Sequence, residues 1–241
     1  MKNIIFNNIK FSSVSEKNFS YLINQKGLFV FPAGPALSKL DVQKKYHEAL
    51  IKADYVFLDS GFFVLLLRLL KNIKVTKYSG YKFLFSFFEY LKKNKKKKIF
   101  NIDPDKVSSR LNELYFKKIG INKTYSYLAP KYNSQMIQDD NLINKLNKIK
   151  PDFILTNIGG GVQEILGFYL KKKLNFKTSI ICTGAAIAFF TGKQAPINHL
   201  IDKLYIGWLF RIIYNPIIFL PRYLSAFKLA LDVLKSKIRL K

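Results

Sequence analysis

Short apolar runs alternate along the chain with longer segments in which apolar residues recur at helical spacing. The runs predict β-strands and the longer segments predict helices. This alternation predicts an α/β fold, a Rossmann-like and mostly parallel sheet with helices on both faces. The residues before it, Asn3 to Tyr21, predict only a short lead-in strand or loop. The predicted strands are Leu28–Phe31, Tyr55–Leu58, Lys98–Ile102, Thr124–Leu128, Phe153–Asn157 and Ser179–Cys182. The predicted helices are Leu40–Ala53, Phe62–Leu70, Tyr81–Leu91, Pro104–Lys117, Asn141–Lys148 and Gln163–Lys172.

Length and composition fit one α/β domain followed by a tail. The chain has 241 residues and is 49% hydrophobic, which is enough for a full core. We place the α/β domain at residues 1–196 and a basic, amphipathic appendage at residues 197–241. The single cysteine, Cys182, excludes an internal disulfide or a zinc site with several thiolates, and its apolar run predicts burial. His47 and His199 are expected to have structural or surface roles.

The charge balance predicts an anionic partner. Lys and Arg number 41 against 15 Asp and Glu, which gives a net charge of +26. Nucleic acid, anionic lipid and a sugar nucleotide all satisfy that charge, and part of the excess is typical of an AT-biased genome. The basic residues are spread along the chain and no nucleic-acid-binding motif is present, so nucleic acid is not predicted as a partner. The lysine run Lys92–Lys98 is interpreted as a solvated helix end.

A glycine turn is the first candidate binding element. Gly159, Gly160 and Gly161 follow the predicted strand Phe153–Asn157, and helical spacing begins at Val162. Free N–H groups and the helix dipole at such a junction can hold a phosphate or another anion. The alternative is that these glycines serve backbone geometry alone.

Asp59 is the candidate acid or base. It lies at the end of the strand Tyr55–Leu58, and open parallel sheets collect their ligands at the carboxyl ends of their strands. The alternative is that Asp59 caps the helix that begins near Gly61. The apolar stretch containing it, Tyr55–Leu70, is too short and too polar to span a membrane, and the N-terminus lacks the apolar core of a signal peptide, so export is not predicted.

The order of several motifs resembles the WecG/TagA/CpsF glycosyltransferase family. Members carry a GSPKQE-like turn, a G-[GA]-A-F-D-F-x-x-G segment, an R-A-P, and an E-W-x-x-R…P…R-R-Y ending. The corresponding segments here are GGGVQE from Gly159, GAAIAFFTG from Gly184, KQAP from Lys193 and GWLFR…NP…PRY from Gly207. The similarity begins near Leu28 and covers most of the chain.

The resemblance implies a sugar transferase that acts without a metal or other cofactor. Its donor would be a UDP-linked hexose or N-acetylhexosamine, and its acceptor a polyprenyl-diphosphate-linked sugar in surface polysaccharide synthesis. Asp59 coincides with the aspartate of a P-D-G motif and would be the catalytic base. Asp103-Pro104-Asp105 has metal-binding spacing but is interpreted as the cap of a helix start. The implied substrate-binding residues are Gly159, Gly160, Gly161, Gln163, Glu164, Lys77, Gly184, Arg211 and Arg222.

Several polar positions of the family pattern are replaced here. Pro32-Ala33-Gly34 stands for a T-x-N, Lys77 and Lys82 for the arginine and aspartate of R-x-[TS]-G-x-D, and Ala188 for the aspartate of F-D-F. Gln194 stands for the arginine of R-A-P and Gly207 for a glutamate. Such losses indicate changed specificity, or a non-catalytic, membrane-associated module that kept only the fold.

The C-terminal tail predicts contact with a membrane surface. Between Lys203 and Lys241 eight cations alternate with apolar and aromatic residues against a single acid, Asp232, and two helices broken near Pro216 and Pro221 are predicted. This composition is typical of an interfacial amphipathic helix, and members of the similar family use a basic C-terminal appendage in this way. We therefore expect a cytoplasmic protein at the inner face of the bacterial membrane. Packing of the apolar side on the core, or on a second copy, is the alternative.

Overall fold

The fold is a mixed, mostly parallel sheet with helices on both faces, as the alternating pattern predicts. The computed structural model describes residues 2–193, 209, 212–213 and 216–240. In this part of the chain nine strands form one sheet, in the order β6-β5-β7-β8-β3-β4-β2-β1-β9. Pairs from β6 to β2 are parallel, whereas β1 is antiparallel to both of its neighbours. The strands are Lys2–Phe6 (β1), Ile9–Ser13 (β2), Gly27–Val30 (β3), Tyr55–Phe57 (β4), Ile99–Asp103 (β5), Thr124–Leu128 (β6), Phe153–Thr156 (β7), Ser179–Cys182 (β8) and Arg239–Leu240 (β9).

Helices connect the parallel strands, and the six helices predicted between residues 40 and 173 have bounds within four residues of the predicted ones. The short helices Phe19–Ile23 and Gly34–Leu37 were not predicted. Two 3₁₀ helices, Glu16–Asn18 and Gly184–Phe189, complete the described regular structure. The α-helices are Phe19–Ile23 (α1), Gly34–Leu37 (α2), Lys44–Ile51 (α3), Gly61–Lys71 (α4), Gly80–Lys93 (α5), Lys106–Lys118 (α6), Asp140–Ile149 (α7), Val162–Lys173 (α8), Pro216–Ala226 (α9) and Lys228–Lys235 (α10).

Each face of the sheet carries its own apolar layer, because successive side chains of a strand point to opposite faces. Along β3, Leu28 and Val30 join a cluster with residues of α3, α4, α7, α8 and α10. Phe29 joins the opposite cluster, which is rich in phenylalanine and contains residues of α1, α5 and α6. Cys182 is buried in the first layer, as expected. The sheet is therefore covered on both sides, which leaves its strand ends as the accessible edges.

The N-terminal segment forms a β-hairpin, so the prediction of a short lead-in strand or loop is wrong. Phe6 pairs with Ile9 across a two-residue turn. Both turn residues, Asn7 and Asn8, have positive φ angles of 47° and 63°, which asparagine tolerates better than most residues. His47 lies within 2.7 Å of the Asn7 carbonyl oxygen through its Nε2 atom, which confirms a structural role.

The C-terminal segment differs from its prediction at Pro221. Helix α9 runs through that proline, and the break follows at Phe227, so the prediction of a break near Pro221 is wrong. The carbonyl that loses its partner to Pro221 belongs to Ile217, which is 87% exposed, so water can satisfy it. Beyond α10, β9 pairs with Ile4 and Ile5 of β1. The proposed boundary at residue 196 falls outside the described residues and stays a prediction.

Candidate functional site

The predicted site residues come from three strands that end at the same edge of the sheet. β7 leads into the glycine turn at residues 159–161, β8 leads to Gly184, and β4 leads to Asp59. Three strand spacings separate β7 from β4 in the order β7-β8-β3-β4. At 4.7–4.9 Å per spacing the separation is about 14 Å. The glycine turn and Asp59 both follow carboxyl ends of parallel strands, so a ligand that lies along this edge can contact both.

Asp59 is held at this edge by the N-terminus of α5 and not by α4, the helix that follows it in the chain. Its Oδ1 atom accepts a hydrogen bond from the Gly80 N–H at 2.8 Å, at the first residue of α5. The cap of α4 is Ser60, whose Oγ accepts from the Phe63 N–H at 3.1 Å. The alternative in which Asp59 caps the helix near Gly61 is therefore wrong. The carboxylate is fixed in position and half-buried at the strand end.

Lys77 is brought to the same strand end by the segment that precedes α5. The Tyr78 N–H donates to the Leu58 carbonyl at 3.0 Å, one residue before Asp59. A methyl group on Gly80 would lie 3.3 Å from Thr183 at the end of β8, so α5 begins in close contact with two strand ends. Lys77 is 7% exposed, which places it inside this junction rather than on the outer surface.

The three glycines of the turn differ in what requires them. Gly161 has a φ angle of +93°, a conformation that other residues adopt only with strain. Gly159 and Gly160 have no positive φ, and a methyl group on either would meet no heavy atom within 4 Å. Among the described residues, their N–H groups have no hydrogen-bond acceptor. These two positions therefore leave open space above two free donors at the start of α8.

Gln163 and Glu164 are buried and bonded to each other and to the turn. The Glu164 carboxylate accepts from the Gly161 N–H at 2.7 Å and from Gln163 Nε2 at 3.1 Å. Gln163 Nε2 also donates to the Cys182 carbonyl at 3.3 Å. The Gly161 backbone N–H and the Gln163 side-chain NH₂ group, both candidate donors to a diphosphate, thus donate within the protein. Gln163 Oε1 is buried and has no partner among the described residues, so the free group of this side chain is an acceptor.

Burial dominates the electrostatics of this cluster. Removal from water raises the pKa of Glu164 to about 7, partly offset by the hydrogen bonds that it accepts. Asp59 adds a further upward contribution through its charge. Gly184, with a φ angle of +60°, closes the cluster, because a methyl group there would lie 3.3 Å from Gln163 Nε2. Gln163, Glu164, Gly184 and the glycine turn therefore form one connected unit at the ends of β7 and β8.

Comparison with known families shows which family the chain belongs to. The model of the glycosyl transferase WecG/TagA/CpsF family matches residues 3–241, almost the whole chain. The chain belongs to the WecG/TagA/CpsF glycosyltransferase family. No match was found among curated proteins. Family membership supports a glycosyltransferase role, with a sugar donor and an acceptor as substrates. The matched range begins at residue 3, so the family similarity extends beyond the predicted start near Leu28 and includes the N-terminal hairpin.

The sequence of this glycosyltransferase-family chain predicts a helix cap at Asp103-Pro104-Asp105, and only Asp105 has that role. Asp105 caps α6, as expected, by accepting from the Ser108 N–H at 2.7 Å. Asp103 has no such role and ends β5 fully buried, where its Oδ1 accepts from Asn112 and Asn157, each at 2.7 Å. A usable signal was present, since Asn101 and Asp103 put two polar side chains on one face of a strand that is otherwise apolar.

Several predicted site residues fall outside the part of the chain that the structure describes. Arg211 and Gln194 lie outside the described residues, as do Trp208 and His199, and the Arg222 side chain is not described. Their predicted roles stay predictions. Within the described ranges, no cluster of three or more His, Cys, Asp or Glu side chains is arranged to hold a metal ion. In the same ranges no helix combines the length and apolarity needed to cross a bilayer.

Proposed function

We propose that this protein transfers a hexose or N-acetylhexosamine, of the N-acetylmannosamine type, from a UDP-sugar to a polyprenyl-diphosphate-linked sugar. The product would enter surface polysaccharide synthesis at the inner face of the bacterial membrane. One observation carries the proposal: Asp59 is fixed at the same sheet edge as the open glycine turn, after strands that lie about 14 Å apart in the sheet. A sugar nucleotide would lie along this edge, with its diphosphate at the turn and its sugar toward Asp59.

Asp59 would act as the general base. Its carboxylate accepts the proton of the attacking acceptor hydroxyl as the new bond to the anomeric carbon forms. The bond between that carbon and the phosphate oxygen breaks, and UDP leaves with the electron pair. The hydrogen bond from the Gly80 N–H fixes one carboxylate oxygen, so the carboxylate is held in a single orientation at the reacting end.

The leaving diphosphate would be bound by backbone and cationic groups. The free N–H groups of Gly159 and Gly160 and the positive end of the α8 dipole favour its negative charge. Arg211 and Arg222 are proposed as cations from the C-terminal segment. Guanidinium groups pair with phosphate oxygens in a two-pronged geometry, so the two arginines would neutralise the leaving group without a metal ion. Lys77, which lies near Asp59, is proposed to contact the sugar end of the donor.

The surface of the C-terminal helices supports contact with lipid. Leu224, Phe227 and Leu231 form a row of apolar side chains that are each more than half exposed. This row lies beside the N-terminal end of α4, which follows Asp59 in the chain, because the Phe227 ring packs on the Phe62 ring with centroids 5.9 Å apart. A lipid-linked acceptor held in a bilayer at this row would therefore present its sugar close to the proposed base.

The test is a transfer assay with wild type and Asp59→Asn, together with calorimetric binding of UDP-sugars. The variant should bind the donor as wild type does and transfer sugar 10²- to 10⁴-fold more slowly, as expected for loss of a general base. Asp140→Asn, which removes an exposed carboxylate on α7, is the matched control and should be unchanged. Full transfer activity in Asp59→Asn would refute the assignment of the base.

The second candidate is a non-catalytic membrane module. It is favoured by the replaced polar positions, above all Ala188 and the Pro32-Ala33-Gly34 segment, which carry no group able to bind a sugar through a side chain. Binding to anionic vesicles without any binding of UDP or UDP-sugars by the folded protein would favour this candidate over the transferase.

A further inference from the structure

Glu164 is a buried carboxyl group without a positively charged partner. It is 1% exposed, and it is the only glutamate of the chain that is buried. Its Oε2 atom accepts from the Gly161 N–H at 2.7 Å, and its Oε1 atom accepts from Gln163 Nε2 at 3.1 Å. Among the described residues no Lys, Arg or His forms an ion pair with it. Neutral donors alone offset only part of the cost of removing an ionised carboxylate from water.

The titratable groups around Glu164 add no positive charge. They are Tyr46 on α3, Cys182 on β8 and Asp59 after β4, and the first two are fully buried. Burial, with a further contribution from the charge on Asp59, raises the pKa of Glu164 to about 7. Burial also raises the pKa of Tyr46 and Cys182, and the charge on Glu164 adds to both effects. Neutral Tyr46 and Cys182 therefore lie beside a carboxyl group that can gain or lose a proton near neutral pH.

The Glu164 carboxylate shares its turn with the proposed diphosphate. It bonds to the N–H of Gly161, and the free N–H of Gly160 comes one residue earlier. Successive backbone nitrogens lie within roughly 4 Å of each other, and an anion accepts from an N–H at about 2.9 Å. An oxygen of an anion bound at Gly160 would therefore lie within about 10 Å of the carboxylate. Lys45 lines the small cavity beside both glycines, but its Nζ atom lies 3.8 Å from the Glu48 carboxylate, which offsets part of its charge.

Repulsion over this distance is large enough to measure as a change in affinity. With an effective dielectric constant of about 20, two like charges 10 Å apart repel each other enough to weaken binding roughly tenfold. A diphosphate with two negative charges would therefore bind roughly ten- to hundredfold more tightly when Glu164 is neutral than when it is ionised. The coupling is reciprocal, so the bound ligand favours the protonated carboxyl group by the same factor.

We propose that binding of the donor diphosphate at the glycine turn is coupled to uptake of a proton by Glu164, so that affinity for the donor falls as pH rises. The inference rests on the proposed transferase function and deepens it. Glu164 contacts no substrate; it is a positioning residue for Gly161 and Gln163, and its charge sets the affinity of the turn for an anion. The proton comes from the solvent when the donor binds and returns to the solvent when UDP leaves.

The test is calorimetric titration with a UDP-sugar at pH 7.5 in HEPES and in Tris, because the difference in heat between two buffers of different ionisation enthalpy counts the protons taken up. A UDP-sugar is used because, unlike UDP, it has no terminal phosphate that titrates near neutral pH. Wild type should take up about half a proton per ligand, and its affinity should fall roughly five- to tenfold between pH 5.5 and pH 8.5. Glu164→Gln should take up none and have a flat pH profile. Glu89→Gln, the same change at an exposed position on α5, is the matched control and should behave as wild type.

A second measurement needs no variant. In wild type labelled with ¹³C at the glutamate carboxyl carbons, one of the five resonances should titrate near neutral pH. A saturating UDP-sugar should move the midpoint of that titration to higher pH. An unchanged midpoint in protein that binds the UDP-sugar would overturn the coupling.

The outcomes separate this inference from the proposed function. Binding of a UDP-sugar by wild type without proton uptake overturns the coupling and leaves the proposed donor in place. Proton uptake that persists in Glu164→Gln assigns the proton to another group and also overturns it. If folded wild type binds no UDP-sugar at any pH between 5.5 and 8.5, then the proposed donor is wrong and the coupling is refuted with it.

Discussion

Substitution of the neighbouring glycines Gly160 and Gly161 by alanine separates backbone geometry from ligand binding. At Gly161 the backbone has φ +93° and ψ −53°, which an alanine side chain disfavours. Gly161→Ala should lower the free energy of unfolding by about 1–3 kcal/mol, and the melting temperature by about 2–12 °C for a chain of this length. At Gly160 there is no positive φ and no atom within 4 Å of an added methyl group. Gly160→Ala should leave stability unchanged or raise it by about 0.4–1 kcal/mol.

UDP affinity should be sensitive to Gly160→Ala, the variant that leaves stability unchanged or raises it. The methyl group of Gly160→Ala would occupy the open space in front of the free N–H groups, where the diphosphate is proposed to lie. Hydrogen bonds to charged groups contribute about 1.5–3 kcal/mol, so affinity should fall roughly ten- to hundredfold. Urea unfolding and calorimetric titration with UDP measure the two quantities on the same samples. Wild-type UDP affinity in Gly160→Ala would refute the assignment of this turn as the diphosphate site.

Two further predictions concern the buried carboxylate and the exposed tail. The pKa of Glu164 is raised from 4.5 to about 7, so the folded protein binds more protons than the unfolded chain in that range. Its unfolding free energy should therefore fall by about 3 kcal/mol as pH rises from 4.5 to 7, and Glu164→Gln should lose this dependence in urea unfolding at pH 5 and pH 8. Parallel pH profiles would contradict it. Leu231→Asp should weaken sedimentation with anionic vesicles, whereas Val107→Asp, at a position on α6 that is 63% exposed against 55% for Leu231, should not. Equal binding by both variants would argue against the tail as the contact.

The sequence predicts the sheet where strand signals are strong and misses it where they depend on an uncommon turn. Thr124–Leu128 and Ser179–Cys182 have the predicted bounds because polar residues and helices flank short β-branched or aromatic runs. The hairpin at Asn7-Asn8 was missed because two asparagines are a weaker turn signal than Asn-Gly. The apolar residues on both sides of that pair were the available signal.

For the candidate site, sequence locates residues at strand ends but not the partners that use their polar atoms. Asp59 and the glycine turn lie at one edge because parallel strands end there, which the alternation of elements already implies. Glu164 accepts a hydrogen bond from the Gly161 N–H, and this pairing depends on the folded turn. The sequence carried a signal for it, because a glutamate three residues after a helix start is typical of a capping box. The acceptor role of Gln163 likewise depends on the Cys182 carbonyl, which is 19 positions away in sequence.

The parallel alignment of α10 with α4 limits how the C-terminal segment can be studied. Phe227 contacts Phe62 at one end, and Lys71 donates to the Leu234 carbonyl at 2.8 Å at the other. Between them Leu229 and Val233 are fully buried, and burial of two such side chains contributes about 3–6 kcal/mol. That is a large part of the 5–15 kcal/mol that stabilises an ordinary domain. A truncated protein without this helix would therefore expose core surface and aggregate, and loss of its activity would say nothing about lipid. Single substitutions on the outer face of α10 are the informative perturbation.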